Sequence, residues 1–483
     1  MPTLNPSIEK RWQWPLALLA ITLFALILRW YYVSTAIVVG PIRGDATQYY
    51  AYAWNLLHHG IFSKDIPGAA STIPDSYRDP GYPLFLALWM KLSGTATDGS
   101  WWAGDFWYAS VLLSQAVLGA LTVTFTTLLG RYWLSPRWAI GAGLLMAIWP
   151  HSITINSDLL SETLFSFLCA LGLLLCAIAF RRKSPFLAGT AGVVLGAAAL
   201  TNAILLPFGM LLAGFLALRK LAPRKICMAL AIGSLLLPGT WAVRNTQISA
   251  PMQGSSQNDR AFQNFVQGSW PNFHSAWRAS IFGDAAAKAQ ARIALQAIDD
   301  EIGLLQGSPT EGAQAIMQRF SKRPLHYFAW YFFEKPYSLW GWGVQIGQGD
   351  IYVFPTKNAP YQSNPVWLAL VAICSAFNWV LMLLALASPF FGWARQRGEA
   401  ALGLQANRAV LAMVIGLLIF MTLVYTALQA EPRYSIPFRP FEMLLSITTI
   451  SAITTAWQRS RALPSSPRRF RSRSRHDPET KAV

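Results

Sequence analysis

Charged residues are scarce in this chain of 483 residues. Only 13% are Asp, Glu, Lys or Arg, whereas 54% are hydrophobic and the mean hydropathy is +0.34. A soluble domain of this size needs more charged side chains to cover its surface. Many apolar runs instead reach the roughly 20 residues that a helix needs to cross a bilayer. The composition therefore argues against a soluble protein and predicts an all-α polytopic membrane protein.

Cysteine is also scarce, and the common catalytic motifs are missing. The four cysteines lie inside apolar runs without CxxC spacing, and we interpret them as core residues. No glycine-rich phosphate loop, nucleophile elbow or HExxH motif occurs in the sequence. His58, His59 and His326 have no acid at metal-ligand spacing, so no metal ligand is predicted. A divalent cation bound with the substrate is left open.

The formal net charge of +17 would suit a nucleic-acid-binding protein. The basic residues, however, stand at the ends of apolar spans and in the C-terminal tail. Membrane orientation requires that placement, because cytoplasmic loops carry an excess of Lys and Arg. We therefore predict membrane lipids as partners and no nucleic acid.

The apolar runs predict about ten spans, with both termini cytoplasmic and two long loops outside. The expected spans are residues 14–33, 106–129, 138–155, 159–180, 186–200 and 203–218, one ending near 244, 366–391, 409–428, and one ending at 457. The resulting regions are an N-terminal transmembrane module (1–244) with its first outer loop (34–105), an outer loop region (245–364), C-terminal helices (365–457) and a basic tail (458–483). Within the second loop, residues 284–323 are typical of soluble helices, and the aromatic segment after Pro324 is expected to lie along the interface.

The first outer loop carries the first candidate for chemistry, Asp45, which opens a tyrosine-rich segment. Alone, Asp45 would be interpreted as the N-cap of a helix over residues 46–59, since Asp is favoured there. Further acids fall on the same side of the membrane. Asp158 and Glu162 are four residues apart, and on one helix they would share a face. Acids at membrane depth are costly and usually face a partner or a cavity, although a cap at Asp158 and a polar neighbour for Glu162 would also explain them.

Three arginines on the outer side are candidates to bind phosphate: Arg78, Arg244 and Arg433. Arginine on the outer side runs against the usual excess of Lys and Arg in cytoplasmic loops, so it needs a reason there. A phosphate ligand would supply one, because a guanidinium binds phosphate oxygens in bidentate fashion. Simpler explanations exist for two of them. Arg78 could pair with Asp79 at the surface, and Arg244 could reach towards the interface from the end of its span.

Five motifs occur in order along the chain. They are Gly44-Asp45-Ala46 with Tyr49-Tyr50, Arg78-Asp79-Pro80-Gly81-Tyr82-Pro83, Ser161-Glu162-Thr163-Leu164-Phe165, Trp241-Ala242-Val243-Arg244-Asn245, and Glu431-Pro432-Arg433-Tyr434 followed by Pro437 and Pro440. Together they resemble the GT-C integral-membrane glycosyltransferases. The similarity is to the family 39 group, which includes bacterial relatives of protein O-mannosyltransferases and of the lipid A aminoarabinose transferase.

This resemblance implies a GT-C fold and an inverting transfer from a polyprenyl-phosphate sugar on the extracytoplasmic side of a bacterial inner membrane. It implies that Asp45 is the general base and that Glu162 is the family's second acid, which would orient the acceptor or a bound cation. Asp158 is counted among the catalytic candidates from its position alone. Arg244 and Arg433 match positions that contact the donor phosphate, and Arg78 is a looser candidate.

The loop residues Asp79, Tyr82 and Tyr434 are assigned to the loop and acceptor side. Aminoarabinose transferases usually have Glu-Lys-Pro-Pro where this chain has residues 78–81, so a phosphate-binding lysine is missing there.

Three other functions stay open at this point: a flippase or transporter of lipid-linked sugars, a polysaccharide ligase, and a non-catalytic assembly protein. A transporter would bury ionisable residues near mid-bilayer and often shows repeats, whereas these charges cluster at the outer boundary. The sequence does not name the sugar, and it leaves a lipid, a glycan or a protein as the acceptor.

Overall fold

The computed structural model of the protein describes residues 6–69, 71–94, 102–248, 256–343, 354–397 and 404–462. The predicted basic tail lies almost entirely outside these residues. Nearly all regular structure is helical, as the composition predicts. The only strands in these ranges are the two-residue β1 (Ile37–Val38) and β2 (Thr356–Lys357), which pair antiparallel and join the segment after residue 35 to the segment before residue 360.

The helices follow the apolar runs of the sequence. In chain order they are α1 (Pro6–Thr35), α2 (Asp45–His59), α3 (Gly81–Leu92), α4 (Asp105–Gly130), α5 (Pro136–Ile148), α6 (Pro150–Thr154), α7 (Glu162–Arg182), α8 (Pro185–Thr201), α9 (Phe208–Leu218), α10 (Arg224–Thr246), α11 (Gln257–Ser269), α12 (Phe273–Phe282), α13 (Ala285–Gly307), α14 (Pro309–Lys322), α15 (Pro324–Ala329), α16 (Lys335–Trp340), α17 (Pro360–Ser363), α18 (Pro365–Arg397), α19 (Leu404–Ala427), α20 (Pro432–Ser435) and α21 (Arg439–Ala462). A π-helical turn, Trp330–Glu334, joins α15 to α16, and three 3₁₀ turns cover Ile155–Ser157, Ala203–Leu205 and Ile436–Phe438.

Six helices within the described ranges are long and apolar enough to cross a membrane. They are Gln13–Thr35, Asp105–Gly130, Glu162–Arg182, Arg224–Thr246, Pro365–Phe391 and Asn407–Ala427. Helices α8 and α9 are apolar but shorter, and α21 is long but more polar because it buries the ion pair of Arg439 with Glu442. The figure of ten spans therefore stays a prediction.

The predicted third span is bent. Helix α5 ends at Ile148, and the chain resumes at Pro150 with a 62° change of direction over Pro150–Ser157. Proline lacks the N–H that would continue the ladder and clashes with the preceding turn, so a break at this residue is expected. The bend carries the chain sideways towards the first outer loop.

Close helix contacts at glycine hold the membrane part together. A Cβ added at Gly192 of α8 would overlap the carbonyl oxygen of Leu230 in α10, and one added at Gly233 of α10 would overlap that of Gly189. Small residues let two backbones approach in this way, which drives helix association in lipid. Helices α1, α4 and α7 pack next to one another, and α18 packs on α21.

Two parts of the chain outside the long apolar helices form hydrophobic clusters. In the first loop, α2 and α3 pack on each other around Tyr49, Tyr50 and Tyr82. In the second, α11, α13 and α14 enclose an apolar cluster that includes Val266 and Ile298. The helical character predicted for residues 284–323 is confirmed.

Candidate active site

Helix α2 begins abruptly at Asp45. Gly44 precedes it with φ of 55°, a left-handed conformation that side chains rarely adopt, and the chain turns there into the helix. The residue at the N-cap is Gly44, without a side-chain capping bond, so the interpretation of Asp45 as a helix cap is wrong. The carboxylate points to charged partners instead.

Two arginines from distant parts of the sequence hold the Asp45 carboxylate. Arg78 Nη2 lies 2.7 Å from Oδ1, and Arg433 Nη2 lies 2.7 Å from Oδ2. Burial alone would raise the pKa of Asp45, but the two guanidinium groups hold that pKa well below its usual range. Asp45 is therefore ionised in this arrangement.

Arg433 also reaches the second predicted acid. Its Nε lies 3.0 Å from Oε1 of Glu162, the first residue of α7. The side chain of Asp45 is 28% exposed, whereas those of Arg433 and Glu162 are 8% exposed and that of Arg78 is 11% exposed. The cluster thus presents one carboxylate to the outside and keeps its two cations and its second acid behind it.

Asp158 lies beside this cluster but not on the helix of Glu162. The prediction that both acids share a helix face is wrong, because α7 starts at Glu162 and Asp158 has an extended backbone at the end of the bent segment. Gln115 of α4 holds this backbone by donating to the carbonyl of Asp158 at 3.0 Å. Burial, with the nearby charge of Glu162, raises the pKa of Asp158 to about 8, so it is largely protonated at neutral pH.

The predicted surface pair of Arg78 with Asp79 does not form. Arg78 turns to Asp45 and donates from Nε to Gln48 Oε1 at 2.5 Å. Asp79 is 3% exposed and faces the other way, where it pairs with Arg260 of α11 at 3.1 Å. The chain bends at Tyr77 and Arg78, and the two neighbouring charged side chains take different partners.

Asp79 ties the first loop to two other elements. Its Oδ2 accepts from the backbone N–H of Ala203, and its Oδ1 accepts from Gln257 Nε2 of α11. It is a structural junction in this arrangement, and its assignment to the acceptor side stays a prediction.

Arg244 does not touch the Asp45 carboxylate. Its Nη1 donates to the carbonyl oxygen of Asp75 at 2.6 Å, and Nη2 donates to that of Phe62 at 3.4 Å. It also lies over the rings of Phe62 and Trp241. Arg244 therefore holds the loop segment that leads to Arg78, and a direct contact with phosphate stays a prediction.

The two predicted tyrosines differ in exposure. Tyr82 is fully buried, donates to Gln115 Oε1 at 3.0 Å and meets the ring of Tyr49 edge to face. Tyr434 is half-buried, stacks on Tyr425 and lies beneath the guanidinium of Arg433. Of the two, only Tyr434 is placed where a substrate could reach it.

Three polar residues in or near this cluster were missed in the sequence: Gln48 bonds to Arg78, Arg260 pairs with Asp79, and Arg29 lines a cavity together with Glu162. Gln48 and Arg260 are ordinary polar residues of loop helices, and nothing local marks them. Arg29 lies within the apolar run of α1 and is 1% exposed. An ionisable residue inside a span is by itself an indication of function, so this one could have been found.

A metal would have to be held by the acids of this cluster. Within the described part of the chain, no group of three or more His, Cys, Asp and Glu residues could hold a metal ion.

No model of a known protein family matches the chain, and no curated protein sequence matches it. Solved structures of membrane glycosyltransferases do. The archaeal oligosaccharyltransferase AglB from Archaeoglobus fulgidus, in complex with an inhibitory peptide and a dolichol-phosphate, matches with a TM-score of 0.52 at 15% identity over 94% of this chain and 52% of that chain. An oligosaccharyltransferase of the same organism, tethered with an acceptor peptide containing the NVT sequon, matches with a TM-score of 0.52 at 14% identity over 95% and 52%.

ArnT from Cupriavidus metallidurans bound to undecaprenyl phosphate covers 91% of this chain and 79% of its own at 16% identity, with a TM-score of 0.35. That score is too low to support an argument here. The chain spans about half the length of the oligosaccharyltransferases that it matches. At these identities the likeness concerns the fold, and the predicted GT-C fold is confirmed.

Proposed function

We propose that the protein is an inverting glycosyltransferase that moves a sugar from a polyprenyl-phosphate donor to a hydroxyl group of a lipid, glycan or protein acceptor. The observation that carries the proposal is the Asp45 carboxylate, which is held between Arg78 and Arg433 and is the most exposed member of its cluster. A base at the front with cations beside it suits a reaction that removes a proton from one substrate and leaves negative charge on the other.

The chemistry needs one base and no general acid. Asp45 takes the proton of the acceptor hydroxyl, the hydroxyl oxygen forms a bond to the anomeric carbon on the face opposite the phosphate, and the bond from that carbon to the phosphate oxygen breaks. The bond pair leaves with the polyprenyl phosphate. Phosphate is stable as an anion, so it departs without protonation, and single displacement inverts the anomeric carbon.

The arginines give Asp45 a base strength that depends on the donor. In the free protein both guanidinium groups pair with Asp45 and make it a weak base. A donor phosphate beside them shares their hydrogen bonds, which weakens their hold on the carboxylate and moves its pKa back towards its usual range. The base is then strongest when the donor is in place, and the same cations stabilise the departing phosphate.

The proposed site lies on the extracytoplasmic face of the inner membrane, with both termini cytoplasmic. No resident cofactor is required by this chemistry. A chelator tests whether a divalent cation at Asp158 and Glu162 takes part, since such a cation would make transfer sensitive to its removal.

A ligase that transfers a preassembled glycan is the second candidate. It is favoured by one observation, that solved oligosaccharyltransferases match this chain with a TM-score above 0.5. The two candidates differ in the mass added to the acceptor, one sugar or an oligosaccharide.

The test expresses the chain and its Asp45→Asn variant in a bacterial host and compares extracytoplasmic glycans and polyprenyl-phosphate-sugar pools by mass spectrometry. Asp105→Asn is the matched control, because Asp105 also starts a helix after a glycine with positive φ but is paired with Trp102 rather than with arginine. We expect the chain and Asp105→Asn to add a sugar to an acceptor, and Asp45→Asn to insert normally and add nothing. Equal products from all three would refute Asp45 as the base, and redistribution of lipid-linked sugar without a product would indicate a flippase.

A further inference from the structure

A small cavity lies beside Glu162, among the membrane helices. It is lined by residues of α1, α4, the end of α5, the bent segment α6 with its 3₁₀ turn, α7 and the chain around Ile436. The space open to the centre of a water molecule is about 20 Å³. A water molecule needs roughly 10–15 Å³ measured in this way, so one or two fit.

Four buried polar atoms belong to residues that line this cavity. They are Arg29 Nε, Asn156 Oδ1, Glu162 Oε2 and Thr163 Oγ1, and none has a hydrogen-bond partner among the described protein atoms. Each of the four residues is at least nine-tenths buried. A buried polar group without a partner is destabilising, and more so when it is charged, so four at one cavity indicate a common ligand.

The remaining contacts of Arg29 explain its orientation. Nη1 donates to the carbonyl oxygens of Ala25 and Ala147, each at 3.1 Å. Ala147 lies in the last turn of α5, whose carbonyls lose their helical partners at the bend before Pro150. The guanidinium thus satisfies carbonyls of the broken helix through Nη1 and through Nη2, which donates to Met146 at 3.5 Å, while Nε has no partner among the described protein atoms at the cavity that Glu162 also lines.

A missing side chain opens this space. A Cβ added at Gly119 would lie 2.5 Å from Asn156 Oδ1 and 2.8 Å from Arg29 Nε. Both atoms therefore stand next to the same glycine, and alanine at this position would occupy the room between them.

We infer that this cavity is a hydration site in which one or two bound water molecules link the guanidinium of Arg29 to the carboxylate of Glu162, with Asn156 and Thr163 as the further partners. The ligand is water rather than an ion, because the atoms include one N–H donor of a cation, one anionic acceptor, one amide oxygen and one hydroxyl. Only a small neutral molecule that both donates and accepts satisfies all of them.

The site holds the second oxygen of Glu162 in place while its first oxygen pairs with Arg433. Arg29 is in this sense a positioning residue, which acts on the cluster through water. The hydration site itself does not rest on the proposed transferase activity, because it follows from the cavity and its unpaired atoms alone.

X-ray radiolytic footprinting of the full chain in detergent tests the inference. Radiation splits bound water into hydroxyl radicals that oxidise side chains in contact with it, and methionine gives the sulfoxide. Met146 lines the cavity and Met443 does not, yet both are 1% exposed. We expect several-fold more oxidation at Met146 than at Met443. Equal oxidation of the two in the native chain would overturn the inference and requires no variant.

The Gly119→Ala variant, which fills the space, provides the second arm. We expect Met146 to lose its excess oxidation there while Met443 is unchanged. Thr163→Val, which removes one hydroxyl at nearly constant volume, should lower the excess without removing it. Unchanged Met146 oxidation in a folded, monodisperse Gly119→Ala protein would show that the radicals come from elsewhere and would refute the site. None of these readouts depends on transfer, so the inference and the proposed function fail separately.

Discussion

Two buried arginine–carboxylate clusters of this protein differ in how completely their polar atoms are used. Among helices α11, α13 and α14, Arg319 donates to both oxygens of Glu301, to the backbone carbonyl and hydroxyl of Ser269, and to the hydroxyl of Tyr327. The indole of Trp270 donates to Glu301 at 2.6 Å. In the Asp45 cluster, Glu162 Oε2 has no partner within the described ranges, and Asp45 is 28% exposed.

This difference in how many polar atoms already have protein partners distinguishes a structural network from a candidate active site. A saturated pair such as Arg319 with Glu301 holds α11, α13 and α14 together and offers nothing to a ligand. The cluster at Asp45 contains four charged groups rather than two, its front carboxylate is open, and its cations can exchange partners. Burial and charge are common to both clusters, so neither identifies the functional one.

Among the variants that test this difference between the two clusters, Arg433→Gln is expected to have the largest effect. The variant removes a cation that pairs with both Asp45 and Glu162, and loss of one such charge-stabilising donor costs about 10²–10³-fold in kcat. The measurement is the turnover of purified variant with a polyprenyl-phosphate sugar and the acceptor identified by mass spectrometry. Arg319→Gln is the matched control and should keep the turnover of each folded molecule. Equal losses in the two variants would remove the distinction between the clusters.

A second prediction concerns stability at the saturated cluster. Glu301→Gln leaves Arg319 as a buried charge without its carboxylate, and we expect the free energy of unfolding to fall by about 2 kcal/mol, less than for complete removal of a buried partner because the amide still accepts hydrogen bonds. Thermal unfolding in detergent measures this, with Asp45→Asn as the comparison. If Asp45→Asn proved the less stable of the two, Asp45 would have to be regarded as structural.

A smaller effect is expected from Arg244→Lys. Arg244 contacts two loop carbonyls rather than the Asp45 carboxylate, so the lysine should keep some of the loop in place and lower kcat by about tenfold, in line with misplacement of reacting groups. A change in KM for the donor with unaltered kcat would instead support direct binding of phosphate by Arg244. The split between kcat and KM in steady-state kinetics decides between the two roles.

The smallest prediction is a pH dependence at Asp158. Its pKa is raised to about 8 in the folded protein, so the folded state holds the proton more tightly than the unfolded one. The resulting stabilisation is fully present below the unfolded pKa near 4 and is lost as pH rises towards 8. Asp158→Asn lacks the stabilisation that the bound proton gives. Between pH 5 and 8 its melting temperature should therefore rise relative to that of the native chain, and above pH 8 the difference between the two should stay constant. A constant difference across that range would show that the pKa is not raised.

Much of this architecture follows from sequence patterns. Apolar runs of span length require helices in lipid, because only internal hydrogen bonding satisfies the backbone there. The helix that follows Gly44 and the helical character of residues 284–323 were predicted from similarly local patterns, although Asp45 was expected to cap its helix rather than to be its first residue. Asp45, Glu162 and Arg433 were also singled out from the sequence, because charge at the ends of apolar runs is unusual. The structure brings the three side chains together, and their roles stay predictions.

The tertiary structure alone decided which of these charges meet. Arg78 and Arg433 are 33 and 388 residues from Asp45 along the chain, and no local pattern records such a contact. It likewise decided that Asp79 turns away from Arg78, that Asp158 precedes the helix of Glu162 rather than joining it, and that Arg244 binds the loop. Partners of a buried charge are selected by which helices pack side by side, and that packing depends on the whole chain at once, whereas the presence of helices depends on each segment's own composition.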